Sequence, residues 1–442
     1  MKKLFAGFLG AALLALLLSG CGENDQRNDN SAFMQALRQS SVSDIETDEQ
    51  APVRYRLEKL DSAPDVAVTF YNGCDYGTFI YNRQGCIMDK NGNIVHKNVF
   101  TYVEDVNGNN AIVKDNDKYY LMDLQSASKI ELNCAASKKN DQSYYFSQYR
   151  EKNYRFLSNG YILANRYYND DYSLDQIILN SEGEEVFRLT GINVDKDDKR
   201  IANYIDENHI FISKKSVIDN ETHKTLSMIN NKSETIWEKN VSSGTFFPDS
   251  TDSFICCENE QKLWGALDYN GKEIIPFKYD IMSIPSDSMI AVNQFGKWGF
   301  IDFAGNEVIP PKYQGKNDLK DLMIYSYFKN NRAVVFDQNI TKIIDKQGNE
   351  VFTAEAINTN DYYNKTNSAV LYNDLVVVHK VESHEISKLK IYSAQNGEVL
   401  YDTSGEKVEE KLESICEDMI CIKSSATQSS SDNYVVYKLI KE

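Results

Sequence analysis

Histidine is scarce in this chain, five residues in 442, and His96, His209, His223, His379 and His384 form no close pair. A histidine-built metal centre is therefore not expected. Cys-x-x-Cys is missing, which removes the common zinc and redox spacings. Gly-x-Ser-x-Gly, His-Glu-x-x-His and a phosphate-binding glycine loop are missing too, so no hydrolase, metalloprotease or nucleotide signature is on offer. Helical heptads are absent, and no Pro- or Gly-rich linker divides the chain. Cations are outnumbered, 48 Lys and Arg against 65 Asp and Glu, for a net charge of -17. Phosphate backbones repel such a chain, and nucleic acid is not an expected partner.

What is present is a repeat. Residues 263–279 return 34 positions later as 297–313, with nine of seventeen paired residues identical. The shared frame is Trp264, Gly265, Asp268, Gly271, Pro276 and Tyr279 in one copy and Trp298, Gly299, Asp302, Gly305, Pro310 and Tyr313 in the other. Each copy reads as a β-hairpin. The apolar, aromatic run before each Asp is too short for a stable helix and right for a strand. Asp-x-x-Gly then reverses the chain, Asp bonding turn amides and Gly supplying positive φ. Proline ends the second strand because it cannot donate to a ladder. The two tryptophans are assigned to packing and the repeated aspartates to turns. Gly265 and Gly299, beside large indoles, are expected to let a ring or neighbouring backbone lie close.

This unit resembles the WG-repeat family, whose units carry Trp-Gly, Asp-x-x-Gly, Ile-Pro and a terminal Lys-Tyr. The two strong copies cover about an eighth of the chain. The resemblance implies an all-β repeat architecture and no particular reaction.

Weaker copies extend outward from this pair, centred on Asp89, Asp123, Asn180, Asp219, Asp345 and Ser393, giving eight hairpins in all. Further strands precede each turn, and three to four strands per unit is the blade pattern of a β-propeller. The expectation is an all-β repeat protein, a propeller of seven or eight blades, with an open β-solenoid as the alternative. The run from Val53 is expected to join the C-terminal strands and close the ring. Asp89, Asn91 and Asn93 resemble the start of a calcium loop but lack its downstream Glu, so the hairpin is preferred.

At the N-terminus, Lys2 and Lys3 precede an apolar run that ends in Leu18-Ser-Gly-Cys21. The pattern is a signal peptide over 1–20 and resembles the bacterial lipobox, which implies acylation of Cys21. Residues 21–52 are polar, with too few apolar side chains to form a core, and read as a tether; 53–442 is the repeat domain. With Cys21 set aside, an odd number of cysteines remains. Cys74 with Cys86, or Cys416 with Cys421, has disulfide potential outside the cytosol, but small buried thiols are the preferred reading.

The function read from these features is a non-catalytic, membrane-anchored binding scaffold of the bacterial cell envelope, facing an envelope protein or polysaccharide and using no cofactor. The alternative is a carbohydrate-active propeller enzyme. The two separate on whether several acids converge on one channel mouth. Recognition is assigned to aromatic-rich insertions, 133–159 with Tyr144, Tyr145, Phe146, Tyr149 and Tyr154, and 359–367 with Tyr362 and Tyr363.

Overall fold

The computed structural model describes residues 54–441, apart from 72–74, 117, 135–153, 158, 168–172, 194–199, 219–220, 243–244, 247–253, 284, 315–326, 338–339, 355–367, 383–385, 404–407, 417 and 427–431. The leader, the tether, Cys21 and the four candidate binding tyrosines Tyr144, Tyr145, Tyr362 and Tyr363 lie outside the described residues.

The described strands form nine antiparallel sheets. Eight follow one another along the chain, at 68–100, 102–132, 154–193, 200–241, 245–279, 281–314, 332–353 and 368–402. Each has four strands in sequence order except the seventh, where three are described. The ninth takes three strands, Val408–Cys416, Met419–Ala426 and Asp432–Lys441, and completes itself with Tyr55–Lys59 from the other end of the chain. The protein is a β-propeller, and the ring is closed by Tyr55 pairing with Lys441 and Lys59 with Tyr437.

Nine blades replace the expected seven or eight. A count of Asp-x-x-Gly turns finds only blades whose third and fourth strands are consecutive in sequence. The closing blade takes its outer strand from far away and so has no such turn. The open solenoid is not what forms, because the terminal strands pair with each other. One hairpin is also re-placed. Asp219 falls between the second and third strands of the fourth blade, and the repeated turn of that blade is instead Asn230-Asn-Lys-Ser233.

Because neighbouring strands alternate direction, the Asp-x-x-Gly turns and the first-to-second connections share one ring face, called here the turn face. The second-to-third turns and the links between blades share the opposite, link face.

Eight blades carry a third-to-fourth hairpin, and in seven the register slips just after the turn. One extra residue is left on the outer strand: Val95, Val186, Ile236, Ile274, Val308, Val351 or Leu400. A bulge increases local twist and spoils an exposed edge as a template for another chain. The core lies between blades. One apolar cluster joins Trp298 and Ile309 of the sixth blade to Val334 and Ile343 of the seventh and to Ala369 and Val376 of the eighth. Each fully buried aliphatic side chain there stabilises the ring by about 1.5–3 kcal/mol.

Candidate functional site

The repeated unit is where the sequence concentrates its unusual residues. Trp298 is buried at 2% exposure and pairs across the ladder with Tyr313; Trp264 does the same with Tyr279. Between that pair and the next, Phe300 with Ile309, a single residue, Gly299, faces Pro310, Pro311 and Lys312. The outer strand therefore does not end at Pro276 or Pro310 as expected; it arches over the glycine and resumes its pairing at Tyr279 or Tyr313. A Cβ at Gly299 would lie against the Ile309 carbonyl and 2.6 Å from the Pro311 nitrogen, and one at Gly265 would lie 2.8 Å from the Ile275 carbonyl. Trp-Gly and Ile-Pro-x-Lys-Tyr are thus two halves of one contact. The lysine before each tyrosine, Lys278 or Lys312, sets its ammonium 5.1 Å from the ring centroid of Tyr279 or Tyr313.

At the turn, Asp302 Oδ1 accepts from the amides of Ala304 and Asn306 at 2.9 and 2.8 Å, and Oδ2 accepts from the Asn306 side chain at 2.8 Å. Gly305, at φ 81°, donates its amide to the Asp302 carbonyl at 3.0 Å. Asp268 holds its two amides alike, and Asp89 and Asp345 repeat the full set. Asn180 and Asn230 swap the roles: the amide heads the turn and donates to Glu184 or Glu234, four residues on, at 3.2 and 2.7 Å. The oxygens of Asp89 are occupied by this turn, and no cluster of metal-ligating side chains occurs among the described residues.

Five turn glycines also abut the outer strand of the preceding blade, and Gly92 abuts the segment just after it, at Leu60 and Ser62. A Cβ on Gly271 would meet Trp237 at 2.7 Å, on Gly348 would meet Ile309 at 3.3 Å and on Gly397 would meet Phe352 at 2.6 Å. Trp237 donates its indole N–H to the Tyr269 carbonyl of the next blade at 2.8 Å. The sequence reading passed over Trp237, because no glycine follows it; its place, seven residues after the Asn230 turn head, was the available signal.

A recess of about 510 Å³ opens on the turn face where the first strands of the eighth, ninth and first blades end. Phe70, Tyr71, Tyr372, Leu412, Ile415 and one carboxylate, Glu413, line it. Its wall is fixed by the Ser414 hydroxyl donating to the Val68 carbonyl and the Cys416 thiol donating to the Tyr71 carbonyl at 2.7 Å.

Tyr154 departs from its expected place on a binding loop. It is fully buried, donates to the Leu132 carbonyl at 3.0 Å and lies 4.9 Å from the Tyr119 ring. Its segment enters the core as a first strand, Tyr154–Phe156, which the aromatic-rich sequence concealed. Cys416 and Cys421 are both buried and do not bridge to each other, with Cys416 opposite Met419 and Cys421 opposite Ser414. Burial raises the Cys421 thiol to about 11 and the Cys257 thiol to about 12, far from a reactive thiolate at neutral pH. Cys74 lies outside the described residues.

The WG containing repeat family matches the chain at residues 87–119, 264–298 and 298–336. The first match falls on the Asp89 hairpin, which has no tryptophan. No curated protein sequence matches the chain. Similar solved structures include a eukaryotic initiation factor, 11% identical, covering 77% of this chain and 87% of that one at a TM-score of 0.48. They also include the β-propeller domain of the Trilobed protease from Pyrococcus furiosus, 9% identical over 86% and 95% at 0.35. A third is dipeptidyl peptidase 4 of Porphyromonas gingivalis, 9% identical over 82% and 65% at 0.45.

Proposed function

We propose that this chain, a WG-repeat protein folded as a nine-bladed propeller, is a non-catalytic binding scaffold of the bacterial cell envelope, held to a membrane through acylated Cys21. The observation that carries the reading is the commitment of the repeat's reactive side chains to structure. Asp89, Asp302 and Asp345 are occupied by turn amides, Trp264 and Trp298 are buried, and Lys278 and Lys312 lie over their neighbouring tyrosines. Among the described residues, the recess on the turn face offers one carboxylate, Glu413, where glycoside hydrolysis ordinarily uses two.

Recognition is assigned to the link face. The segments carrying Tyr144 and Tyr145 and carrying Tyr362 and Tyr363 each run from a fourth strand to the first strand of the following blade, Lys129–Leu132 to Tyr154–Phe156 and Glu350–Thr353 to Ser368–Tyr372. Long links that vary between blades are where a rigid scaffold ordinarily carries specificity. The partner is an envelope protein or an envelope polysaccharide.

The test is fractionation followed by crosslinked capture from intact envelopes. Cys21→Ser is expected to move the protein to the soluble fraction; membrane association that survives a salt wash rejects the anchor. Replacing Tyr144, Tyr145, Tyr362 and Tyr363 by Ser is expected to empty the capture while the melting temperature holds. An unchanged set of captured molecules removes the assignment to these links. Release of sugar from envelope polymers, abolished by Glu413→Gln, would favour the glycosidase reading instead.

A further inference from the structure

The first strand of the ninth blade, Val408–Cys416, pairs with the second at Leu412 with Ile422 and again at Ser414 with Cys421. Glu413, between them, has no opposite residue. A regular strand shows alternate side chains to one side, and this bulge breaks the alternation. Leu412, Glu413, Ser414 and Ile415, four residues in a row, all line the recess on the turn face.

Other glutamates on first strands have partners inside the protein. Glu410 accepts from the Tyr401 hydroxyl at 2.9 and 3.1 Å through its two oxygens. Glu104, the extra residue of a similar bulge in the second blade, is 8% exposed and hydrogen-bonded to Tyr102. Glu413 differs from both. It is exposed, and among the described residues no side chain bonds to it or pairs with its charge.

The rest of the wall is carbon. Phe70 and Tyr71 come from the first blade and Tyr372 from the eighth. The Tyr71 hydroxyl is engaged with Thr78 at 3.2 Å, and the Ser414 hydroxyl donates to the Val68 carbonyl. What the recess presents is therefore three aromatic rings, two aliphatic side chains and one unneutralised negative charge. Its volume, about 510 Å³, is that of a small-molecule site.

We infer that the recess binds an organic cation, an alkylammonium group whose charge sits at Glu413 and whose apolar body packs among Phe70, Tyr71 and Tyr372. Aromatic rings attract cations through their quadrupole, and the carboxylate supplies the opposite charge. An anion is repelled by Glu413 and by the net charge of -17. A metal ion calls for several oxygen ligands, and no such cluster occurs among the described residues. Three blades furnish the wall, so an occupant also ties the closing blade to both of its neighbours. The site lies on the turn face, apart from the tyrosine-bearing links, and stands or falls independently of them.

The test titrates the purified full-length protein with two cations, choline and n-pentylammonium, and with 3,3-dimethylbutan-1-ol, which has the shape of choline without its charge. Calorimetry is expected to show a single site that takes at least one of the cations about tenfold more tightly than the alcohol. The melting temperature is expected to climb with concentration of that cation. Glu413→Gln removes the charge and no internal bond, so the unliganded melt is expected to hold while the cation weakens about tenfold and the alcohol is unaffected. Tyr372→Leu keeps an apolar wall and is expected to weaken the cation about threefold. Preference for choline marks a quaternary ligand, and preference for n-pentylammonium marks a primary amine. Binding of neither cation, equal binding of the alcohol, or an affinity indifferent to Glu413→Gln overturns the proposal.

Discussion

The Tyr313 hydroxyl donates to the Gly348 carbonyl at 3.4 Å, joining the last residue of one Trp-Gly unit to the turn glycine of the next blade. The glycine's own Cα faces Ile309, four residues before that tyrosine. The turn therefore has two tasks. It reverses the chain within a blade, and it seats that blade on its predecessor.

Two glycines separate these tasks. Gly160 (φ 85°) has open space where a Cβ would go, while a Cβ on Gly397 (φ 76°) would lie 2.6 Å from Phe352 Cγ. Gly160→Ala is expected to cost about 1 kcal/mol, from backbone conformation alone. Gly397→Ala is expected to lose about 1–3 kcal/mol more through overpacking. Chemical denaturation of the two variants supplies the comparison, and equal losses would mean the seam has no energetic weight.

The tryptophans should rank by what their N–H groups do. Trp298→Ala is expected to lose about 3–5 kcal/mol. Trp298 Nε1 is buried without a hydrogen-bond partner among the described residues, whereas Trp237 Nε1 donates to Tyr269. Trp237→Phe is therefore expected to exceed Trp298→Phe by about 1–2 kcal/mol, since it removes a formed hydrogen bond. Melting of both phenylalanine variants checks the order.

Five turn heads pair with a side chain four residues on, in two chemical versions, acid with amide and amide with acid. Asn180→Asp would set a second carboxylate beside Glu184, and a loss of about 0.5 kcal/mol is expected at low salt, fading as salt is raised. Adding Glu184→Asn recreates the Asp89 and Asn93 combination and is expected to restore the wild-type melt. A double variant no better than the single one would show that the pairing is incidental.

The closure should be sensitive to alkali. The Tyr55 hydroxyl donates to Asp374 Oδ2 at 3.1 Å, and burial first, then the Asp374 charge, raises its pKa from 10.0 to about 12. A group raised in this way adds stability that is complete below pH 10 and is lost as pH climbs through about 12. The melting-temperature gap between wild type and Tyr55→Phe is expected to shrink across that window. Deleting 434–442 removes the partner of Tyr55–Lys59 at any pH, and aggregation through the bared edge is the expected result.

The architecture was legible wherever a signal is local. Asp-x-x-Gly and alternating apolar residues act within one hairpin, so the twin units and five further turn heads, seven of the eight, could be located by spacing, including the degenerate Asp89 copy. Legibility failed where partners are remote. The ninth blade joins opposite ends of the chain, Gly271 touches a tryptophan 34 residues away in the preceding blade, and Tyr154 read like the other aromatics of its segment while occupying a first strand. At the fourth blade a local signal misled. Asp219 resembles a turn head, but Ser233 holds the left-handed position, φ 62°, that glycine holds elsewhere.

The strand Tyr55–Lys59 has a history as well as a place. It is among the first parts of the domain to leave the ribosome and pairs only with the last strand to arrive. Throughout synthesis its backbone donors and acceptors have no permanent mate, and loop closure must finally bridge hundreds of residues. Eight blades can accumulate step by step, each on its neighbour, while the ninth forms in a single late event that converts a growing arc into a circle. Premature release, or a slow final strand, leaves two sticky ends on the same molecule. Two such arcs can satisfy each other as readily as themselves, so yield should fall with concentration during refolding even where the finished ring is indifferent to it.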